Sequence, residues 1–147
     1  MNVRRVVAVA YLGAALLGCS RAAGSHGAAS GASAVAWEKD LAVALGRAGS
    51  EGKKLVMVDF YTDWCGWCRK LDETTLADPA VQSTLKRLVA VKLDAERGGR
   101  RDAERYGVDG FPTVLFLDAK GAEVARIPGY LPPGEFLEEL KDILDKA

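Results

Sequence analysis

The sequence predicts an α/β domain, a central mixed sheet with helices on both faces, and three observations predict it. From residue 37 onward, apolar runs of strand length alternate with segments of helical periodicity. The first such run, LVMVDFY at Leu55–Tyr61, is apolar except for one acid and ends in an aromatic, as in a strand buried on both faces. The last two runs are joined by a short turn ending in glycine, which marks an antiparallel hairpin late in the chain.

The elements follow in order. Trp37, Leu41, Ala44, Leu45 and Ala48 keep helical spacing, and Gly49 and Gly52 close that helix. Residues 55–61 are the first strand. A helix starts near Cys65 and runs past Leu71. Asp78 before Pro79 reads as an N-cap with proline at the first helical position, and Val81 and Leu85 give that segment its apolar face. Residues 88–93 (LVAVKL) form the next strand, and residues 100–106 a short helix stopped at Gly107. Residues 113–117 (TVLFL) are a strand, 118–121 a turn, and 123–127 its hairpin partner. Residues 135–144 are the last helix, with Phe136, Leu137, Leu140, Ile143 and Leu144 on one face.

Composition narrows the function. The 147 residues carry 20 basic and 20 acidic side chains, so no charge excess favours nucleic acid. With 49% hydrophobic and 27% charged residues, the chain has ordinary globular composition, and its length allows one domain. There is one histidine, His26, and it lies outside the patterned region, which disfavours a His-based metal or catalytic site.

The first 36 residues read as an address and a tether. Arg4 and Arg5 precede an uncharged apolar run at 6–17, which is too short for the roughly 20 residues of a membrane-spanning helix and has the form of a secretory signal. Leu16-Leu17-Gly18-Cys19 resembles the lipobox of bacterial lipoproteins, in which the cysteine is acylated and becomes the new N-terminus. Ser20 stands where an acid favours inner-membrane retention in Gram-negative lipoproteins, so the resemblance leans to the outer membrane. Of the 17 residues at 20–36, 14 are Gly, Ala or Ser, a flexible linker. Such a coil reaches roughly 20–25 Å. The expected organisation is a lipoprotein signal at 1–18, a lipidated Cys19 with its linker at 19–36, and a domain at 37–147. Loss of Arg4 and Arg5 leaves 18 basic against 20 acidic residues. It also leaves Cys65 and Cys68 in a compartment where disulfides persist.

The chemistry is carried by Trp64-Cys65-Gly66-Trp67-Cys68. Two cysteines three apart at a strand-to-helix junction form a ring that opens and closes with little backbone motion. At a helix N-terminus, unpaired N–H groups and the helix dipole stabilise a Cys65 thiolate, the attacking species in disulfide exchange. Cys68, one turn on, is expected to be the more buried, resolving thiol. Two other readings compete. Zinc normally needs four ligands, and residues 37–147 hold no third cysteine and no histidine, so no intrachain metal site is expected. A purely structural bridge would close too short a loop to restrict the unfolded chain much.

Residues 58–70, with the CGWC core, resemble the active-site strand and helix of the thioredoxin superfamily. The continuation at 74–81 (TTLADPAV) is similar to a narrower group that includes the C-terminal thioredoxin-like domain of the bacterial transmembrane thiol reductase DsbD. Residues 107–113 (GVDGFPT) resemble the family loop that carries a cis-proline. The resemblance covers residues 37–147 and implies a thioredoxin-like fold. It implies that Pro112 is cis and that Phe111 offers backbone groups to a substrate chain. It implies that Asp59 is the buried acid assisting proton transfer with Cys68, and that Lys92 in the next strand pairs with that acid. Trp64, Gly66 and Trp67 then shape the substrate surface, Trp67 as an exposed apolar group; Trp64 serves equally well in packing, and Trp37 is read as a core anchor of the first helix. No bound cofactor is implied. The implied partners are protein thiols and disulfides, with electrons from another dithiol such as a DsbD-like membrane transducer, and a monomer is expected. Two departures stand out: Gly66-Trp67 replaces Gly-Pro between the cysteines, and no proline near Thr74 kinks the helix.

Overall fold

The computed structural model describes residues 34–53 and 55–147; the signal, Cys19, Ser20 and His26 lie outside the described residues. The strands are β1 (Trp37–Glu38), β2 (Leu55–Tyr61), β3 (Val89–Asp94), β4 (Thr113–Asp118) and β5 (Glu123–Pro128). The helices are α1 (Leu41–Ser50), α2 (Gly66–Lys70), α3 (Pro79–Leu85), α4 (Arg100–Arg105) and α5 (Pro133–Lys146), with a π-helical turn at Leu71–Thr75 continuing α2. The strands form one mixed sheet in the order β1-β3-β2-β4-β5. β1 and β2 run parallel to β3, while β4 is antiparallel to both β2 and β5.

Strand alternation decides which side chain goes where. Leu55 and Met57 of β2, Ala90 of β3, and Val114 and Phe116 of β4 point to the face covered by the π turn, α3 and α5, where Leu71, Leu76, Val81, Leu85, Phe136 and Leu140 pack. Val56, Val58 and Phe60, with Val91, Leu93, Leu115 and Leu117, point to the opposite face, under Leu41, Ala44 and Ala48 of α1 and Ala103 of α4. β2 is central, and its first six residues are buried, as its near-continuous apolar run predicts. By the same parity Asp59 and Lys92 belong to the α3–α5 face, and the register sets them directly opposite each other.

Local chemistry explains most boundaries. Asp78 caps α3 by accepting from the backbone N–H groups of Ala80 and Val81, with Pro79 at the start. Gly107 follows α4 with φ +60°, the left-handed conformation that ends helices and that glycine adopts without strain.

Two expectations are corrected. Trp37 is not in the first helix. It sits in β1, paired with Ala90 at the open edge of β3, and the helix begins only after Asp40, whose carboxylate accepts from Val43 N at 3.0 Å. The spacing from Trp37 to Leu41 imitates a helical repeat, but the cap fixes the true start. The helix after Cys65 is also not uniform. At Leu76 the amide donates five residues back to Leu71 O at 2.8 Å, and Thr74 Oγ1 donates to Lys70 O at 2.7 Å, so the turn widens where a proline would otherwise bend it. The predicted linker ends in an anchored residue: half-buried Val35 donates its N–H to Gln82 Oε1 at 2.8 Å and packs against the α3–α5 core. Among the described residues, no helix is long and apolar enough to cross a membrane.

Candidate active site

The end of β2 places the two cysteines. After Tyr61 the chain turns through Thr62, Asp63 and Trp64, and Cys65 becomes the N-cap of α2 in extended conformation. Its Sγ accepts the backbone N–H of Cys68 at 3.1 Å, so the sulfur takes the place that a serine or aspartate oxygen takes at an ordinary cap. The two residues are joined as a disulfide with Cα atoms 5.3 Å apart. The helix end meets the expectation. The expected difference in burial does not appear: Cys65 is 4% exposed and Cys68 3%, because closing the ring draws both sulfurs under the turn.

The flanking tryptophans are the exposed part. Trp64 is 66% exposed and Trp67 57%. Trp64 donates Nε1–H to Glu96 at 3.0 Å and meets Phe111 edge-on at 6.2 Å between ring centroids. Trp67 leans on Tyr130 at 5.5 Å. The Phe111–Pro112 bond is cis. Pro112 O accepts from Gly129 N at 2.8 Å, and Gly129 holds φ +82°, so the loop after β5 closes against the proline loop only where glycine permits it. Trp67, Phe111, Pro112, Gly129 and Tyr130 line one groove of about 280 Å³ beside the cysteine turn. Gly66 is the first residue of α2 and does not line it. No group of three or more His, Cys, Asp or Glu side chains among the described residues is arranged to hold a metal ion.

A charge cluster spans β2, β3 and the π-helical turn. Asp59 is 1% exposed, and its Oδ2 accepts from Lys92 Nζ at 2.6 Å. Among the described residues its Oδ1 has no hydrogen-bond partner, nor has the buried hydroxyl of Thr62. Lys92 also binds Asp72, which is 42% exposed at its side chain, and its Nζ lies 4.9 Å from the Tyr61 ring centroid. The three groups thus lead from a sealed interior to the surface. Burial pushes the Asp59 carboxyl up, Lys92 opposes the rise, and the charge of Asp72 adds to it. Burial works against the Lys92 ammonium, but the two carboxylates outweigh it and hold its pKa up.

Sequence reasoning anticipated Asp59 with Lys92 and missed Asp72, Tyr130, Lys70 and Glu96. Asp72 had a signal: it stands one helical turn past Cys68, an acid on the face that must turn inward. Tyr130 had none, since only the loop after β5 brings it to Trp67.

Residues 41–144 match the family described as thioredoxin-like domain. The chain belongs to that family. This thioredoxin-like domain is 40% identical over 98 residues to the thiol:disulfide interchange protein DsbD of Vibrio vulnificus, a match that covers 63% of the chain and 16% of the relative. The chain therefore spans about a sixth of the length of the curated relatives it matches. Among solved structures, a thioredoxin from Thermus thermophilus superposes with TM-score 0.67 at 34% identity, covering 75% of the chain and 87% of that protein. The C-terminal domain of Neisseria meningitidis DsbD, in its reduced form, superposes with TM-score 0.61 at 25% identity, covering 69% and 92%. The domain is thus thioredoxin-like by family, with Cys65 and Cys68 as its CxxC pair.

Two expected outcomes follow from the charge cluster. A carboxyl whose folded pKa is raised stabilises the fold while protonated, below its ordinary value near 4. That contribution is lost as pH rises through the higher folded value. Asp59→Asn is therefore expected to be more stable than the parent at pH 7–8 by about 1–3 kcal/mol, since Lys92 keeps Asp72 as partner. The gain should vanish near pH 4 in urea-unfolding curves. Asp72→Asn removes a like charge from Asp59 and leaves Lys92 to it alone, so the Asp59 carboxyl should titrate at lower pH, read by carboxyl carbon chemical shifts.

Proposed function

We propose that this chain is an extracytoplasmic thiol:disulfide oxidoreductase that reduces protein disulfides, held at a membrane through lipid on Cys19. The observation that carries the exchange chemistry is the cap: Cys65 Sγ accepts the Cys68 N–H at the start of α2, beside an open apolar groove. There a thiolate is stabilised by the helix end, as attacking group and as leaving group alike.

In the reductive direction, the Cys65 thiolate attacks one sulfur of a client disulfide and the other client sulfur leaves as thiolate. Cys68 gives up its proton and attacks Cys65 Sγ. The Cys65–Cys68 disulfide forms, the second client thiolate is released, and two electrons have passed to the client. Asp59, on the α3–α5 face of the sheet, takes the Cys68 proton. Burial raises its pKa above that of a free carboxylate, which makes it a better proton acceptor, and Lys92 with Asp72 carries the charge balance outward. A client strand lies along Phe111 and Pro112 with Trp64 and Trp67 at its flanks. A dithiol donor, of the kind a DsbD-like transducer provides, re-reduces Cys65–Cys68.

Similarity to DsbD supports reduction as the direction, and a signal with a lipobox supports the tether. Oxidation or isomerisation with the same cysteines is the second reading, and a client-holding module without turnover the third. The equilibrium potential against glutathione separates the first two: a value near about −270 mV is expected, and one near about −120 mV would overturn reduction. Cys68→Ser in the native host should trap mixed disulfides on Cys65. A trap that stays empty, together with failure of the parent to reduce insulin, would leave the holding module.

Asp59→Asn should slow exchange near neutral pH by about 10-fold while the fold stays intact. The check is a pH–rate profile from pH 6 to 9, where an unchanged curve removes Asp59 from the reaction.

A further inference from the structure

The Trp67 side of the groove carries a cation with no counter-ion among the described residues. Lys70 is the last residue of α2, three positions past Trp67 and so on the same helix face. Its Nζ lies 4.9 Å from the centroid of Trp67 and 4.9 Å from that of Tyr130, capping both rings at once. The tyrosine is held in turn, its hydroxyl 3.3 Å from Thr74 Oγ1. No carboxylate among the described residues pairs with Lys70. Asp72 is taken by Lys92, Asp63 by Arg97, and Glu96 accepts from Trp64. Glu73, one turn along, makes no ion pair with it. Arg69 turns the other way, donating to Asp63 O at 3.3 Å.

The ring faces fix the ammonium without neutralising it, because a quadrupole is not a counter-charge. A full positive charge is therefore held at the exposed rim of an apolar groove. A client side chain that brings a carboxylate there gains an ion pair whose cationic half is already ordered. We propose that Lys70 is a specificity-determining residue, selecting disulfide clients with an acidic residue next to the exchanging cysteine. The inference rests on the exchange reaction proposed above.

Two synthetic peptides test it, identical apolar sequences with one cysteine flanked by Glu or by Gln, each capped as the 2-thiopyridyl disulfide. The reduced full chain supplies two thiols. Cys65 thiolate attacks the peptide sulfur and expels pyridine-2-thione. Cys68 then displaces the peptide thiol, and the protein ends as the Cys65–Cys68 disulfide. Release of pyridine-2-thione in this single turnover, with peptide in excess, gives the second-order rate constant for each peptide. At low ionic strength the Glu peptide should be favoured about 3- to 5-fold, with the ratio falling toward one near 1 M salt. Lys70→Met should bring the ratio to one, Lys70→Arg should keep it above one, and Lys70→Glu should push it below one. If Lys70 served only to pack against Trp67, Lys70→Met would change both rates together and leave the ratio intact. A ratio of one in the parent protein, or the parent ratio retained in Lys70→Met, overturns the inference. No release from either peptide defeats the exchange reading itself, and this inference with it.

Discussion

The backbone N–H of Cys68 points at the sulfur of Cys65, and much of the architecture serves to keep it there. A sulfur can cap a helix only if the strand before it ends at a fixed place. β2 provides that place by being buried on both faces and hydrogen-bonded on both edges, to β3 and to β4. With the strand held on both edges, the three residues after Tyr61 deliver Cys65 to the first N–H groups of α2. The reactive pair thus follows the central, doubly paired strand of the sheet, and only a short turn separates the two.

That same strand carries the one ionisable side chain buried in the core of the described residues. A carboxylate sealed among Met57, Val114 and the α3–α5 core has lost its water, and one ammonium satisfies only one of its oxygens. The domain tolerates this because Lys92 is directly opposite in register and reaches Asp72 at the surface. The π-helical turn is part of the arrangement: it begins one residue before Asp72 and positions the segment that supplies that second carboxylate. Thr75, in the same turn, is buried and ties it to the loop before α5 by donating Oγ1–H to Leu131 O at 2.6 Å.

The groove depends on contacts between remote segments. Trp67 comes from α2, Phe111 and Pro112 from the loop before β4, and Gly129 and Tyr130 from the loop after β5. The Gly129 amide bonded to Pro112 O locks two of these loops together, and the Trp67–Tyr130 contact joins the third. Exposed tryptophans are costly to leave in water, and here each has a polar or cationic companion, Glu96 for Trp64 and Lys70 for Trp67.

The sequence by itself determined what local chemistry determines. Apolar periodicity placed every strand from β2 to β5 and the four later helices to within a few residues. Asp78-Pro79 marked a helix start and Gly107 a helix end, because caps and left-handed glycines act over single turns. The CxxC spacing set the chemistry at Cys65 and Cys68. Tertiary structure alone decided what depends on pairing and on loops meeting. Trp37 became an edge strand because β3 had a free edge for it. α2 widened into a π turn because threonine hydroxyls and a buried interface drew its carbonyls off register. Asp72 joined Lys92, and Lys70 came under Tyr130, because helix, sheet and loop converge there from positions tens of residues apart. No window of the sequence contains both members of such a contact, so only the fold could bring them together.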